Sequence, residues 1–241
     1  MQEAERRPTT PPDDASRRTS GIARQVSRLK TYFREGWRAW VREFLEYRYL
    51  NASSLVLIVI ATYLDYHAGV YVSATEGPDI PDLILDHFGP IDLSPLFVYG
   101  YIALVCTLFI SPLVFHIRTF HFVASQFSLL VMLRSVFMLF THLQTPSDAI
   151  RADFPWICQH LSFQNDMFFS GHTAIPFLGF FLFKHSPLRY VFLAGSLIMA
   201  FTVLAMHLHY SIDVFGAFFI TYCSYRMGCA LTKKIDATFH E

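Results

Sequence analysis

The chain has 241 residues, 53% of them hydrophobic, and Phe alone contributes 25. Apolar runs of about twenty residues exclude a purely soluble domain, and a formal net charge of zero argues against nucleic acid as the main partner. That zero hides a segregation, with an Arg-rich first fifth and an acidic second fifth.

The N-terminus is polar and rich in Pro, Ser and Arg, with no apolar core before about residue 55, a pattern unlike a cleavable signal peptide. Residues 1–30, with Pro8, Pro11 and Pro12, predict a disordered tail. Residues 31–49 interleave aromatics with arginines at helical spacing. They predict an amphipathic helix lying on the membrane surface, and the same pattern also fits a solvated lead-in to the first span. Six apolar runs follow, at about 50–72, 95–115, 120–141, 168–184, 189–207 and 210–229. Each is near the length a helix needs to cross a bilayer, although the fourth is short and begins at a Ser-Gly. The expectation is an all-α integral membrane protein: a cytoplasmic tail and interfacial helix over 1–49, a six-span bundle over 50–229, and a cytoplasmic tail over 230–241. Cys106, Cys158, Cys223 and Cys229 show no CxxC spacing. Three lie in apolar runs and Cys158 in a long loop, so neither a disulfide framework nor a zinc site is indicated. No metal or other cofactor is expected.

Basic residues set the topology. With these spans, 17 of the 19 Lys and Arg fall on one side. The loop 73–94 opposite carries Glu76, Asp79, Asp82, Asp86 and Asp92 and no Lys or Arg, and loop 142–167 carries only Arg151. Both termini are therefore expected in the cytoplasm, and the opposite ends of the spans at the exoplasmic face. Arg134 is the exception, inside the third span. Arg at membrane depth costs about 2.5–3.5 kcal/mol even on lenient scales and faces a polar cavity or a partner. Seven residues before Thr141, about 10 Å below the end of its span, it suits a planar grip on a phosphate. A structural pairing with an acidic group is the alternative.

Two stretches carry the chemistry. Met167-Phe-Phe-Ser-Gly-His-Thr173 and His207-Leu-His-Tyr-Ser-Ile-Asp213 each place histidine where an apolar run begins. Asp213 lies four residues after His209, on the same helix face. A carboxylate that holds one imidazole tautomer makes a base or nucleophile. Ser170 is placed to cap a helix, Gly171 to let backbone approach a ligand, and the free N–H groups there favour an anion beside His172. Asp166 precedes this motif. His207 reads better as a satisfied interfacial histidine than as a site residue. Asp153, His160 and the acids of loop 73–94 read as solvated.

The sequence FFSGHT followed by HYSID resembles the second and third motifs of the type 2 phosphatidic acid phosphatase (PAP2) superfamily. The closer resemblance is to its sphingomyelin synthase-like branch, through Asp166 before Ser170 to Thr173, through His209 to Val214 with Ala217, Ile220 and Thr221, and through Arg134, Met138, Thr141 and Leu143. Ile80-Pro-Asp82 and Asp86 match a Pro-Asp-rich loop loosely. The resemblance covers about residues 80–225. The lipid phosphatases of the superfamily have a Lys-x6-Arg-Pro motif and a Ser-Arg before the last histidine. Neither is present, and the position six before His209 is Val203. Fewer cations suit a singly charged phosphodiester better than a dianionic monoester.

The resemblance implies a membrane phosphotransferase that moves a phospholipid headgroup of the phosphocholine, phosphoethanolamine or phosphoinositol type to a lipid hydroxyl such as ceramide. By that analogy His209, oriented by Asp213, is the nucleophile and forms a phosphohistidine, and His172 serves as acid and then base. Arg134, Asp166, Ser170, Gly171 and Tyr210 would bind substrate. The partners implied are a phospholipid donor, a lipid-alcohol acceptor and the bilayer; the oligomeric state is open. Two alternatives stand: a PAP2-type lipid phosphatase or phospholipase C-like hydrolase, and a non-enzymatic His-rich transporter or haem-binding membrane protein.

Overall fold

A computed structural model describes residues 34–75, 77–155, 163 and 165–239, with side chains through Thr232. The expected disordered tail over 1–30, the acid Glu76, the loop cysteine Cys158 and His160 lie outside the described residues. The chain divides into two units, Met1–Glu46 and Tyr47–Glu241. In the first, helix α1 (34–46) stacks Trp37 on Trp40 and Trp40 on Phe44, with ring centroids 5.3 and 5.4 Å apart. Arg34, Arg38 and Arg42 recur every fourth residue along a second line of that helix.

The second unit contains α2 (Arg48–Ser73), α3 (Tyr101–Phe115, preceded by a π turn over Leu96–Gly100), α4 (Ile117–Phe140), α5 (Gly171–Leu182), α6 (Leu188–Ala205) and α7 (Ser211–Phe239). No strand occurs among the described residues. Five helices are long and apolar enough to cross a membrane: Arg48–Ser73, Leu96–Phe115, Ile117–Phe140, Leu188–Ala205 and Ser211–Thr232. Their outward residues fit that solvent, since Val59, Tyr63, Phe201 and Phe219 are each more than 60% exposed and would be costly in water. The protein is an integral multi-pass membrane protein.

The fourth expected span is the one that differs. Helix α5 has 12 residues, about 18 Å at the helical rise, short of the roughly 30 Å hydrocarbon thickness. Its apolar run extends to residue 168, but Met167 and Phe169 are apolar because they are packed inside the protein, 3% and 0% exposed, rather than because they continue the helix. Non-helical backbone is tolerated at such a place only when protein surrounds it. Here the Ser170 N–H donates to the Asp213 carbonyl at 3.2 Å, tying the start of α5 to the first turn of α7.

Packing follows small residues. The buried positions of α2 include Asn51, Ser54, Ala61, Ala68, Gly69 and Val72, spaced so that they form one stripe. Between lipid-bathed helices dispersion does the work, and small side chains let backbones come close. Helices α2 and α4 accordingly pack along much of their length. Asp65 lies in the middle of that stripe, half-buried against α4. On the other side α5 packs on α6, where a Cβ on Gly179 would sit 2.4 Å from the Phe192 ring, so only glycine admits that ring. Leu108, Leu130, Phe169, Leu178, Phe192 and Ala217 fill the centre, from α3 through α7.

Candidate active site

Residues of α2, α3 and α4 converge where α5 and α7 begin. α7 starts at Ser211, which places Asp213 in its first turn and His209 just before it. Asp213 is fully buried. Its Oδ2 accepts from the Tyr210 N–H at 3.1 Å and lies 3.3 Å from His209 Nδ1. With Nδ1–H turned to that carboxylate, Nε2 of His209 keeps its lone pair. His172 occupies the first turn of α5 in an aromatic cage, with the Tyr101 and Phe97 ring centroids 4.4 and 4.5 Å away. The His172 and His209 centroids are 6.3 Å apart, close enough for one small group to touch both.

Both rings line a cavity of about 530 Å3. Its lining includes buried Thr145, the exposed Arg151 and Asp153, and the apolar Val105, Phe127, Val131 and Ile175. Arg134 and Asp166 line it as well, so five of the expected residues, His172, His209, Arg134, Asp166 and Gly171, share one space, with Asp213 behind His209.

Arg134 is not free to receive a ligand with its whole fork. Its Nη1 donates to Asp65 Oδ1 at 3.0 Å and its Nη2 to Asp166 Oδ2. Ser135 Oγ adds a bond to Asp65 at 3.2 Å. The direct grip on phosphate expected of Arg134 gives way in this geometry to a shared ion pair, because desolvated charges need partners. Gly171 serves that pair. A Cβ there would lie 2.9 Å from Arg134 Nε, so the close approach it permits is that of the guanidinium. Two carboxylates face one guanidinium, and Asp166 Oδ1 has no hydrogen-bond partner among the described residues.

Two expected substrate contacts, Ser170 and Tyr210, are not among the residues that line this cavity. Ser170 occupies the N-cap position of α5 but makes no side-chain cap bond; fully buried, it accepts from the Thr173 hydroxyl at 3.4 Å. Tyr210 is 1% exposed and does not line the cavity with the two histidines. Its hydroxyl reaches Asp79 Oδ1 at 2.8 Å and the Gln144 carbonyl at 3.0 Å, and accepts from the Ile80 N–H at 3.3 Å. Burial, and then donation to Asp79, pushes its pKa up to about 12. His207 is half satisfied: its Nδ1 pairs with Asp148 Oδ2 at 2.9 Å, its Nε2 is buried without a hydrogen-bond partner among the described residues, and its ring lines a separate Asp-rich cavity of about 340 Å3. Among the described residues no three His, Cys, Asp or Glu side chains converge as a metal-binding set.

Sequence reasoning missed Asp65, Tyr101 and Phe97. For Asp65 a signal existed, a carboxylate within the first apolar run, which asks for a partner in another span. Nothing in the chain's local pattern marks Tyr101 and Phe97 as the cage of a histidine some seventy positions later.

Two histidines and a carboxylate gather at the starts of α5 and α7, and residues 165–228 match the PAP2 superfamily C-terminal family. That segment runs from Asn165 through the histidine motifs into α7. The relatives are more particular. Sphingomyelin synthase-related protein 1 of Homo sapiens is 45% identical over 62 residues, 23% of this chain and 15% of that protein; the Mus musculus protein is 45% identical over 62 residues, 13% of its own length. Sphingomyelin synthase-related 1 of Caenorhabditis elegans is 26% identical over 229 residues, 83% of this chain and 46% of the relative. The chain spans less than half the length of each of these relatives. No solved structure matches it. The resemblance carried by the two histidine motifs is thus borne out.

Proposed function

We propose that this protein is a membrane phosphotransferase that moves a phospholipid headgroup to a lipid hydroxyl through a phosphohistidine. The observation that carries this reading is the meeting of His172 and His209 in one cavity, 6.3 Å between centroids, with Asp213 behind His209. Nε2 of His209 attacks the phosphorus of a phosphodiester. The N–P bond forms as the P–O bond to diacylglycerol breaks, and His172 gives its proton to the departing oxygen. An acceptor hydroxyl then passes its proton to His172 and attacks phosphorus, and the N–P bond breaks. The apolar part of the cavity lining receives the lipid chains. The unpartnered oxygen of Asp166 and the formal excess of carboxylates around Arg134 favour a headgroup that carries an amine or quaternary ammonium over phosphoinositol.

In the membrane, α5 and the buried approach to it make the sixth crossing, both termini face the cytoplasm, and the histidines face the exoplasm. The aromatic ladder and arginines of α1 suit a helix lying at the cytoplasmic membrane surface. Exposed Arg151 and Asp153 are among the lining residues and would let water in, so a phospholipase C-type hydrolysis, with water in place of the acceptor alcohol, is the second reading.

The test is incubation of the purified protein in detergent with labelled phosphatidylcholine, phosphatidylethanolamine and phosphatidylinositol, with and without ceramide, followed by lipid chromatography. Ceramide-dependent transfer is expected from an amine-bearing donor; release of soluble phosphorylated headgroup alone would favour the hydrolase. His172→Ala and His209→Ala abolish turnover without loss of membrane insertion. Asp213→Asn lowers kcat by about 10³–10⁴-fold through the wrong tautomer. Wild-type rates in the double variant His172→Ala/His209→Ala would remove the site altogether.

A further inference from the structure

The turn that carries His209 is held from outside. α7 begins at Ser211, and the residue before it, Tyr210, has no side chain able to accept from the first free amides of the helix. The missing acceptor comes from 129 residues earlier. Asp82 Oδ2 accepts from the Ser211 N–H at 2.7 Å, and Asp82 Oδ1 accepts from the Ser211 hydroxyl at 2.6 Å. A carboxylate at the positive end of a helix is favourable there. Asp82 is itself fixed: its Oδ1 also accepts from the Ile84 and Leu85 N–H groups at 2.8 and 3.1 Å, and its own N–H donates to Asp86 Oδ2 at 3.1 Å. Leu85 packs with Met167 and Tyr210, beside the hydroxyl bonds of Tyr210 to the same loop.

On the other flank, the Ile91 N–H donates to the Ala205 carbonyl at 2.7 Å and the Ile150 N–H to the Met206 carbonyl at 3.0 Å. His207 sits at φ 55°, a left-handed conformation a non-glycine residue holds only when its surroundings enforce it. Between these two anchors, the His209 ring has one hydrogen bond among the described residues, the 3.3 Å contact to Asp213. That bond is long, and its survival depends on where the turn sits.

We propose that Asp82 is a positioning residue for His209: by capping α7 across the fold, it fixes the turn so that Nδ1 stays on Asp213 and Nε2 faces the cavity. This rests on reading His209 as the nucleophile, and it gives the Asp-rich loop a task apart from substrate. Burial works to raise the Asp82 carboxyl, but the bonds from Ser211 and from Ile84 and Leu85 outweigh it and hold the carboxyl below its ordinary value. The cap is therefore ionised at any physiological pH. The groups sharing its outward cavity are Asp79, Asp86, Asp148, His207 and Tyr210.

The experiment compares wild type with Asp82→Ala, Asp82→Asn and Ser211→Ala in the full chain, by phospholipid turnover and by hydrogen–deuterium exchange of the peptide spanning residues 209–214. A small displacement of a catalytic group costs on the order of 10²-fold in rate. Asp82→Ala should lose about that in kcat with KM unchanged, and its 209–214 amides should exchange faster. Asp82→Asn, which keeps one acceptor oxygen, and Ser211→Ala, which keeps the backbone bond, should lose less and in that order. If Asp82→Ala does not accumulate as folded protein, those two variants carry the test. A rise in KM at constant kcat would make Asp82 a substrate contact and overturn the proposal, as would unchanged kcat or unchanged exchange in all three. If wild type turns over no lipid, the enzymatic reading falls by itself, while exchange still reports whether Asp82 holds the turn.

Discussion

Arg134 shows what a buried charge requires. It is 8% exposed inside an apolar helix, and its two terminal nitrogens are both committed to carboxylates. Removing it leaves Asp65 and Asp166 facing each other without a cation. Breaking a buried pair in this way costs about 3–5 kcal/mol. Arg134→Ala is expected to lower the melting temperature in detergent sharply and to remove activity with it. Arg134→Lys, a point charge in place of a planar fork, keeps the sign but cannot bond both acids in the same geometry, and should fall between. A melting curve for Arg134→Ala that overlays wild type would mean that the pair contributes nothing. At this scale the sequence was legible where partners are near neighbours along the chain, as with His209 and Asp213 four residues apart. It was not legible where the partner lies 69 residues away, as with Asp65 and Arg134, because spacing encodes one helix face and not which two helices meet.

The elements were legible to within a few residues wherever apolarity and helicity coincide, as in α2, α4 and α6. At α5 the expected run 168–184 brackets a helix of 12 residues, because Phe169 is apolar for packing in an irregular segment before it. The acids of loop 73–94 were read as solvated, yet Asp79 and Asp82 bond Tyr210 and Ser211 at the start of α7. That bonding has a pH signature. The Tyr210 phenol is raised to about 12, against about 10 in an unfolded chain. The folded state therefore favours the protonated phenol. The resulting stability is fully present below pH about 10 and is lost as pH rises through about 12. Thermal unfolding followed across that window should show a steeper alkaline decline in wild type than in Tyr210→Phe, which has no proton to lose at that position. The opposite sign holds for Asp82, whose depressed value makes its contribution present above the ordinary carboxylate value of about 4 and lost only as pH falls below it. An equal alkaline slope in wild type and Tyr210→Phe would show that the phenol is not enclosed as described.

For the molecule as a whole, the strongest remaining physical constraint is the distribution of charge across the bilayer. The span assignment made from the sequence puts seventeen of the nineteen Lys and Arg on one side of the membrane and the Asp-rich loop on the other. Basic loops are retained in the cytoplasm, so the histidine cavity should open to the exoplasm, provided that α5 and its buried approach count as a crossing despite the 12-residue helix. Two positions separate the outcomes. Ser147 is exposed beside Asp148 at the histidine end, and His185 is exposed in the turn between α5 and α6. In a background with Cys106, Cys158, Cys223 and Cys229 replaced by Ala, a membrane-impermeant maleimide added to the exoplasmic side should label Ser147→Cys. His185→Cys should react only after the membrane is permeabilised. Labelling of both without permeabilisation would mean that α5 turns back without crossing, which would leave α6 and α7 reversed relative to α2. The reverse pattern would put the histidines in the cytoplasm and change which pool of lipids they could meet.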